Sequence, residues 1–91
     1  MGQARDVVAK YFAAFNAGDV DGMLECLSDD VAHHVNEGQV RRGKELFEAF
    51  CAHMSRCYRE ELTDMVILAN TDATRAAAEY TVNGTYLQTD E

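Results

Sequence analysis

Residues 7–31 read VVAKYFAAFNAGDVDGMLECLSDDV, and this stretch decides the first half of the fold. Its opening segment repeats apolar side chains at the spacing of a single helix face, and these residues are Val7, Val8, Tyr11, Phe12 and Phe15. The pattern predicts an amphipathic helix over residues 3–17, with charged side chains on its solvent side. Gly18 follows directly, and glycine favours the left-handed conformation in which many helices end.

A second, shorter helix is predicted immediately after the first. Asp19 precedes it, at the position where a carboxylate accepts hydrogen bonds from backbone N–H groups without a partner inside the helix. Its apolar face comprises Val20, Met23, Leu24 and Leu27. Polar residues 28–30 end it, so the stretch as a whole predicts a helix–turn–helix.

The middle of the chain predicts one short strand and a third helix. Residues 31–35 have the character of a strand, and residues 36–38 have the composition of a turn. A helix is predicted over residues 44–55, after Gly43. Its apolar face comprises Leu46, Phe47, Phe50, Cys51 and Met54.

Two long strands are predicted after the third helix, over residues 61–69 and 73–87. The continuous apolar run at residues 65–69 is expected to be the buried end of the first strand, and Val82 on the second strand is also expected to be substantially buried. Asn83 and Gly84, inside the second strand, are compatible with a hairpin turn or with a bulge in one bent strand. The bulge is favoured because the runs on both sides are long.

The predicted element order is α-α-β-α-β-β, which indicates a single α+β domain of 91 residues. Two long strands and one short strand make a small sheet, and the last strand would keep an unpaired edge. We therefore expect the fold to be incomplete at its C-terminus. An unpaired edge and a thin core also favour self-association.

Composition and charge exclude several classes of function. Sixteen acidic against eight basic residues give a formal charge of −8, which opposes binding to nucleic acid. No apolar run approaches the roughly 20 residues that a membrane-spanning helix requires, and the N-terminus is too polar for a signal peptide. We expect a cytoplasmic protein that has neither nucleic acid nor a membrane as a partner.

The cysteines and histidines do not have the spacing of a disulfide framework or of a metal site. The three cysteines are Cys26, Cys51 and Cys57, an odd number without paired spacing. His33 and His34 are adjacent on a predicted strand, so they point to opposite faces. We expect neither a metal ion nor another cofactor.

Several segments together resemble one protein family. A helix bearing a tyrosine, the motif NAGDVDG at residues 16–22, and a second helix ending in two aspartates are similar to the opening of steroid Δ-isomerases. The later segments AHHVNEG, MSRCYRE and RAAAEYTVNGTYLQTDE resemble the same family in their order and spacing. On these motifs, the chain is identified as a member of the nuclear-transport-factor-2-like superfamily, in its ketosteroid-isomerase-related, polyketide-cyclase-like branch.

The resemblance implies a fold and an assembly. Relatives have a cone-like, curved antiparallel sheet packed against three helices, with an apolar pocket in the hollow end of the cone. The resemblance covers nearly all of this chain, which would form the N-terminal two-thirds of that fold. It also implies a homodimer that associates through the sheet face.

The resemblance further implies catalytic residues for proton transfer next to a carbonyl group. Tyr11 matches the tyrosine that binds the developing oxyanion, although an aromatic core residue is the alternative. The family's base falls on Val35 when counted from the second helix, and on His34 when counted back from the third. We predict that His34 points inward as the base, with His33 as the alternative. The competing interpretation is that both are polar residues on a half-exposed strand. The second acid of an isomerase site would lie beyond Glu91.

An apolar pocket in such a fold would take a hydrophobic small molecule. The residues expected to contact it are Phe15, Val35, Phe50, Met54 and Tyr80, which are also candidates for the core. The first hypothesis is an isomerase or cyclase that acts on a hydrophobic carbonyl compound. The second is a non-catalytic module of the same fold that binds a ligand or dimerises.

Overall fold

Three helices and four strands make up the part of the chain that the computed structural model describes, which comprises residues 3–35 and 39–87. In chain order they are α1 (Gln3–Ala17), α2 (Val20–Glu25), β1 (Ala32–Val35), β2 (Gln39–Arg42), α3 (Lys44–Cys57), β3 (Tyr58–Ala69) and β4 (Ala76–Tyr86). The predicted α+β class and the three helices are confirmed. None of the described helices has the length and apolar character needed to cross a membrane.

The corner between α1 and α2 forms as the sequence predicts. Gly18 adopts a φ of +72°, and its N–H donates to the carbonyl of Phe15 (3.1 Å). The Asp19 carboxylate accepts a hydrogen bond from the N–H of Gly22 (2.9 Å), which caps α2. A side chain at Gly22 would collide with the Asp19 carboxylate and approach the Cβ atom of Ala14 to 3.1 Å. Glycine at this position therefore lets α2 lie close against α1.

The strands form two separate antiparallel pairs, β1 with β2 and β3 with β4. Strand β2 was not predicted, because QVRR is short, largely charged and exposed along its whole length. Pairing with β2 fixes the register of β1, in which His33 lies opposite Arg41 and His34 opposite Val40. The turn predicted at residues 36–38 lies outside the described residues.

The bulge lies in β3, so its predicted position in β4 is wrong. Thr63 pairs with Thr81 and Val66 with Glu79, which leaves two β3 residues opposite the single residue Tyr80. The extra residue is accommodated at Asp64, whose φ of 56° is left-handed. Strand β4 runs without interruption through Asn83 and Gly84, so the prediction of one continuous strand there is confirmed.

The core lies where the three helices meet, and its buried centre consists of Met23, Phe47 and Cys51. Asn16, at the end of α1, joins this core to β3. Its side-chain N–H donates to the carbonyl of Leu62 (2.9 Å), and its oxygen accepts from the N–H of Leu62 (2.8 Å). These two hydrogen bonds satisfy both backbone groups of a buried strand residue and fix α1 against the sheet.

Two expectations about burial are wrong. Residues 65–69 are not a fully buried end of β3, because helices cover only one face of the β3–β4 pair. Val66 and Leu68 lie on the other face and are 48% and 60% exposed. Val82, also expected to be buried, is 50% exposed, because it borders an open cleft and not a packed helix.

Candidate functional site

A cleft of about 640 Å³ lies between α1, α3 and the β3–β4 pair. We call it the hydrophobic cleft. Six of the eight site residues predicted from the sequence line it, and they are Tyr11, Phe15, His33, Phe50, Met54 and Tyr80. The cleft forms because the apolar faces of two helices and the helix-facing side of the sheet meet without filling the space between them.

Tyr11 projects from α1 into this cleft, where its ring contacts neighbouring aromatic side chains. The ring meets the edge of Phe12 at a centroid distance of 4.9 Å and lies 6.4 Å from the ring of Phe47. Burial, followed by smaller effects of Cys51 and Tyr80, raises the pKa of the Tyr11 hydroxyl to about 12. At neutral pH this hydroxyl is therefore a protonated hydrogen-bond donor, and no described residue accepts a hydrogen bond from it.

His33 enters the same cleft from β1. Its ring makes edge contacts with Phe47 (5.1 Å between centroids) and Phe50 (4.7 Å). Its Nδ1 atom is buried and has no hydrogen-bond partner among the described residues. Burial, followed by the positive charge of Arg41, lowers the pKa of His33 from its ordinary value of 6.5. The ring is therefore neutral at pH 7, and any proton that it exchanges with a ligand passes through Nε2.

The two histidines are oriented opposite to the prediction. His33 faces the helices, while His34 is exposed and does not line the hydrophobic cleft. His33 is held on this side by its ring contacts with Phe47 and Phe50 of α3, and adjacent strand residues alternate between faces, so His34 points the other way. A strand with two adjacent histidines gives no apolar alternation from which this choice could be read.

The other predicted contact residues are placed as follows. Phe15 lies on α1, Phe50 and Met54 lie on α3, and all three line the cleft. Tyr80 reaches it from β4, and its ring lies 5.2 Å from that of Phe12. The backbone of Val35 belongs to β1, but its side chain is not among those described.

Phe47 and Glu60 are two of the cleft residues that sequence reasoning did not assign to the site. Phe47 was assigned only to the apolar face of the third helix, yet it contacts both Tyr11 and His33. Glu60 places a carboxylate on the cleft-lining face of β3, two residues before the buried Leu62. The predicted strand began at residue 61, whereas β3 begins at Tyr58. With the correct start, the alternation of strand residues would have placed Glu60 on the same face as Leu62.

Metal-binding side chains are not grouped in the described part of the chain. No set of three or more His, Cys, Asp or Glu residues there could hold a metal ion. His53 and Cys57, one helical turn apart on α3, contact each other at 3.9 Å.

Comparison with known proteins gives one family and several similar structures. The model of the family described as the SnoaL-like domain matches residues 8–91. A crystal structure of a candidate polyketide cyclase from Silicibacter sp. is 79% identical, with a TM-score of 0.90, over 94% of this chain and 63% of its own. One from Pseudomonas putida is 52% identical, with a TM-score of 0.93, over 97% of this chain and 66% of its own.

A third candidate polyketide cyclase, from Xanthomonas campestris, is 46% identical, with a TM-score of 0.93, over 97% of this chain and 65% of its own. This chain therefore spans slightly less than two-thirds of the length of these similar structures. A search of curated proteins found no significant match.

Proposed function

Because this chain belongs to the SnoaL-like domain family, within the nuclear-transport-factor-2-like superfamily, we propose that it binds a hydrophobic carbonyl compound and transfers a proton on it, as isomerases and cyclases do. One observation carries the proposal. The protonated hydroxyl of Tyr11 and the neutral ring of His33 line the same largely apolar cleft of about 640 Å³. A hydrogen-bond donor and a proton acceptor in an apolar site are what this chemistry requires.

The proposed step removes a proton from a carbon next to a carbonyl group. The electron pair of the C–H bond forms a C=C bond, and negative charge moves to the carbonyl oxygen. Tyr11 donates a hydrogen bond to that oxygen, which stabilises the charge in a medium with little water. The Nε2 atom of His33 accepts the proton. In an isomerase the proton returns from His33 to another carbon. In a cyclase the enolate carbon attacks a second carbonyl, whose C=O π bond becomes an alkoxide, and this alkoxide takes the proton from His33.

The similar structures support carbonyl-rich substrates. All three are named as candidate polyketide cyclases, and polyketides carry carbonyl groups separated by acidic CH₂ groups. The activity of the whole protein is part of the proposal, because this chain spans slightly less than two-thirds of those structures. A screen of the purified protein against aromatic 1,3-diketones and β,γ-unsaturated ketones, read by absorbance and NMR, tests both reaction types.

We expect the rate of proton transfer to rise with pH and then to reach a plateau. A base acts only when it is unprotonated, and the pKa of His33 is lowered from 6.5, so the midpoint of the rise lies below that value. His33→Ala should lower the maximal rate by about 10²-fold and remove this rise. Stopped-flow measurements between about pH 4.5 and pH 8, with a ketone selected in the screen, give the maximal rate and the pH dependence of each variant.

Two variants test the assignment of the base. His34→Ala changes the neighbouring, exposed histidine and should leave the pH profile in place. Glu60→Gln removes the carboxylate of the cleft while keeping its shape. Full activity in His33→Ala together with lost activity in Glu60→Gln would transfer the role of base from His33 to Glu60.

The proposed assembly is a homodimer formed through the outer face of β3 and β4. That face exposes Val66 and Leu68, which are 48% and 60% accessible and lie on the side that the helices leave uncovered. We expect sedimentation velocity to show a dimer at micromolar concentration, and Leu68→Lys to shift it toward monomer. A cooperative monomer formed by the unmodified protein would remove the dimer from the proposal.

A non-catalytic ligand-binding or dimerisation module is the second candidate function. The orphaned Nδ1 atom of His33 favours it, because a base that accepts through Nε2 carries its own proton on Nδ1, where no described group accepts it. The other tautomer would make His33 a second hydrogen-bond donor to a bound carbonyl. Tight binding of the screened ketones without any proton transfer would assign this function.

A further inference from the structure

A second cleft, of about 580 Å³, adjoins the hydrophobic cleft. The two share five lining residues, which are His33, Phe50, Met54, Tyr58 and Glu60. We call the second one the polar cleft, because Arg41, His34 and His53 also border it. A ligand that fills the hydrophobic cleft can therefore extend past His33 into a region with a different charge.

The register of the β1–β2 pair directs Arg41 toward the polar cleft. Arg41 is the cross-strand partner of His33, and directly paired residues of antiparallel strands point to the same face. Arg42, the next residue, pairs with Ala32 and so points to the opposite face. Arg41 thus lies beside the site, whereas Arg42 points away from it.

No described acidic group neutralises Arg41. Within residues 3–35 and 39–87, no carboxylate oxygen lies within 4.0 Å of its side-chain nitrogens. Among the described residues that line the polar cleft, the one acidic side chain is that of Glu60. It lies over its own sheet, since a methyl group on Gly84 would be 3.7 Å from the Cγ atom of Glu60. The guanidinium of Arg41 is therefore available to a ligand, and its place on the border of the polar cleft distinguishes it from the other basic residues of the described chain.

We propose that Arg41 binds an anionic group of the ligand, a carboxylate or a phosphate, in the polar cleft, while the carbonyl-bearing apolar body occupies the hydrophobic cleft beside Tyr11. This inference rests on the proposed function and narrows its substrate class to hydrophobic carbonyl compounds with an acidic end. The guanidinium offers paired N–H donors that match two oxygens of such a group.

The electrostatics of the site agree with this assignment. Arg41 contributes to lowering the pKa of His33, which shows that its positive charge acts on the junction of the two clefts. An anion bound to Arg41 would lie close to His33, the cross-strand partner of Arg41. It would thereby position the carbonyl group of the same ligand in the hydrophobic cleft.

Three naphthyl compounds test the inference. The probes are 3-(2-naphthoyl)propionate, its uncharged methyl ester and 2-naphthyl phosphate, with binding followed by naphthyl fluorescence. We expect the carboxylate to bind on the order of tenfold more tightly than the ester, and Arg41→Gln to remove that difference without changing ester affinity. Arg42→Gln, the matched control on the opposite face, should retain the preference for the carboxylate.

The preference for the carboxylate over the ester should also shrink between about 0.05 M and about 0.5 M salt, because Arg41 is exposed and its charge is screened.

The outcomes separate this inference from the function on which it rests. Equal affinity for acid and ester, or a preference that Arg41→Gln leaves intact, overturns the anionic end while leaving the carbonyl ligand in place. Failure of all three compounds to bind overturns both. Preference for the phosphate over the carboxylate supports the inference and identifies a phosphorylated ligand as the source of the charge.

Discussion

Replacing Tyr11 with phenylalanine should lower the rate of proton transfer on a bound carbonyl compound by about 10²–10³-fold, the loss found when a principal oxyanion donor is removed. Tyr11 lines the hydrophobic cleft, and the pKa of about 12 of its hydroxyl group keeps that group protonated at neutral pH. Its hydrogen bond strengthens as the carbonyl oxygen gains charge. The variant should therefore lose rate far more than affinity.

Fold and packing should survive this substitution. The phenylalanine ring retains the edge contact with Phe12 and the contact with Phe47 that the tyrosine ring makes. Tyr86→Phe is the matched control, because Tyr86 is 59% exposed and does not line the hydrophobic cleft. Equal rates in Tyr11→Phe and Tyr86→Phe would remove Tyr11 from the mechanism.

Phe47→Ala should destabilise the protein by about 3–5 kcal/mol, which is the usual cost of removing a large aromatic side chain from a core. Phe47 is 7% exposed and lies in the buried cluster with Met23 and Cys51. A small domain is stable by only about 5–15 kcal/mol in total, so this one substitution removes a large share. Urea unfolding followed by circular dichroism measures the change.

Phe47 should matter for the site as well as for the core. Its ring packs near both Tyr11 and His33, so its loss removes one aromatic contact from each of these two proposed site residues. Leu46→Ala is the matched control on the same helix, because Leu46 is 49% exposed, and we expect it to cost less than about 1 kcal/mol. Similar losses in the two variants would contradict the position of Phe47 in the core.

The helical half of the fold was predictable from the sequence because each signal is local. The apolar spacing of α1, the left-handed Gly18 and the capping Asp19 all depend on residues within a few positions of one another. The hydrophobic cleft was predictable for the same reason. Tyr11 and Phe15 lie on one helix face, and this face has to pack against something.

The strands were less predictable because their pairing depends on distant partners. The segment QVRR carries no strand signal of its own and becomes a strand by pairing with β1. The packing of His33 against the third helix, which places it and not His34 at the cleft, is likewise a long-range contact. The bulge at Asp64 likewise depends on the register between β3 and β4. A shift of one residue exchanges the two faces of a strand. An error of this size therefore assigns the wrong side chain to the candidate site, as it did for His34.

The most direct test of the central claim is the exchange of acidic C–H protons for deuterium in a bound ketone, followed by ¹H NMR in D₂O. Exchange reports proton removal next to a carbonyl group whether the final reaction is an isomerisation or a cyclisation. We predict that the protein accelerates exchange in an aromatic 1,3-diketone, and that Tyr11→Phe reduces the acceleration by about 10²–10³-fold. A protein that binds the diketone in the cleft yet leaves its exchange rate at that of buffer would contradict the account.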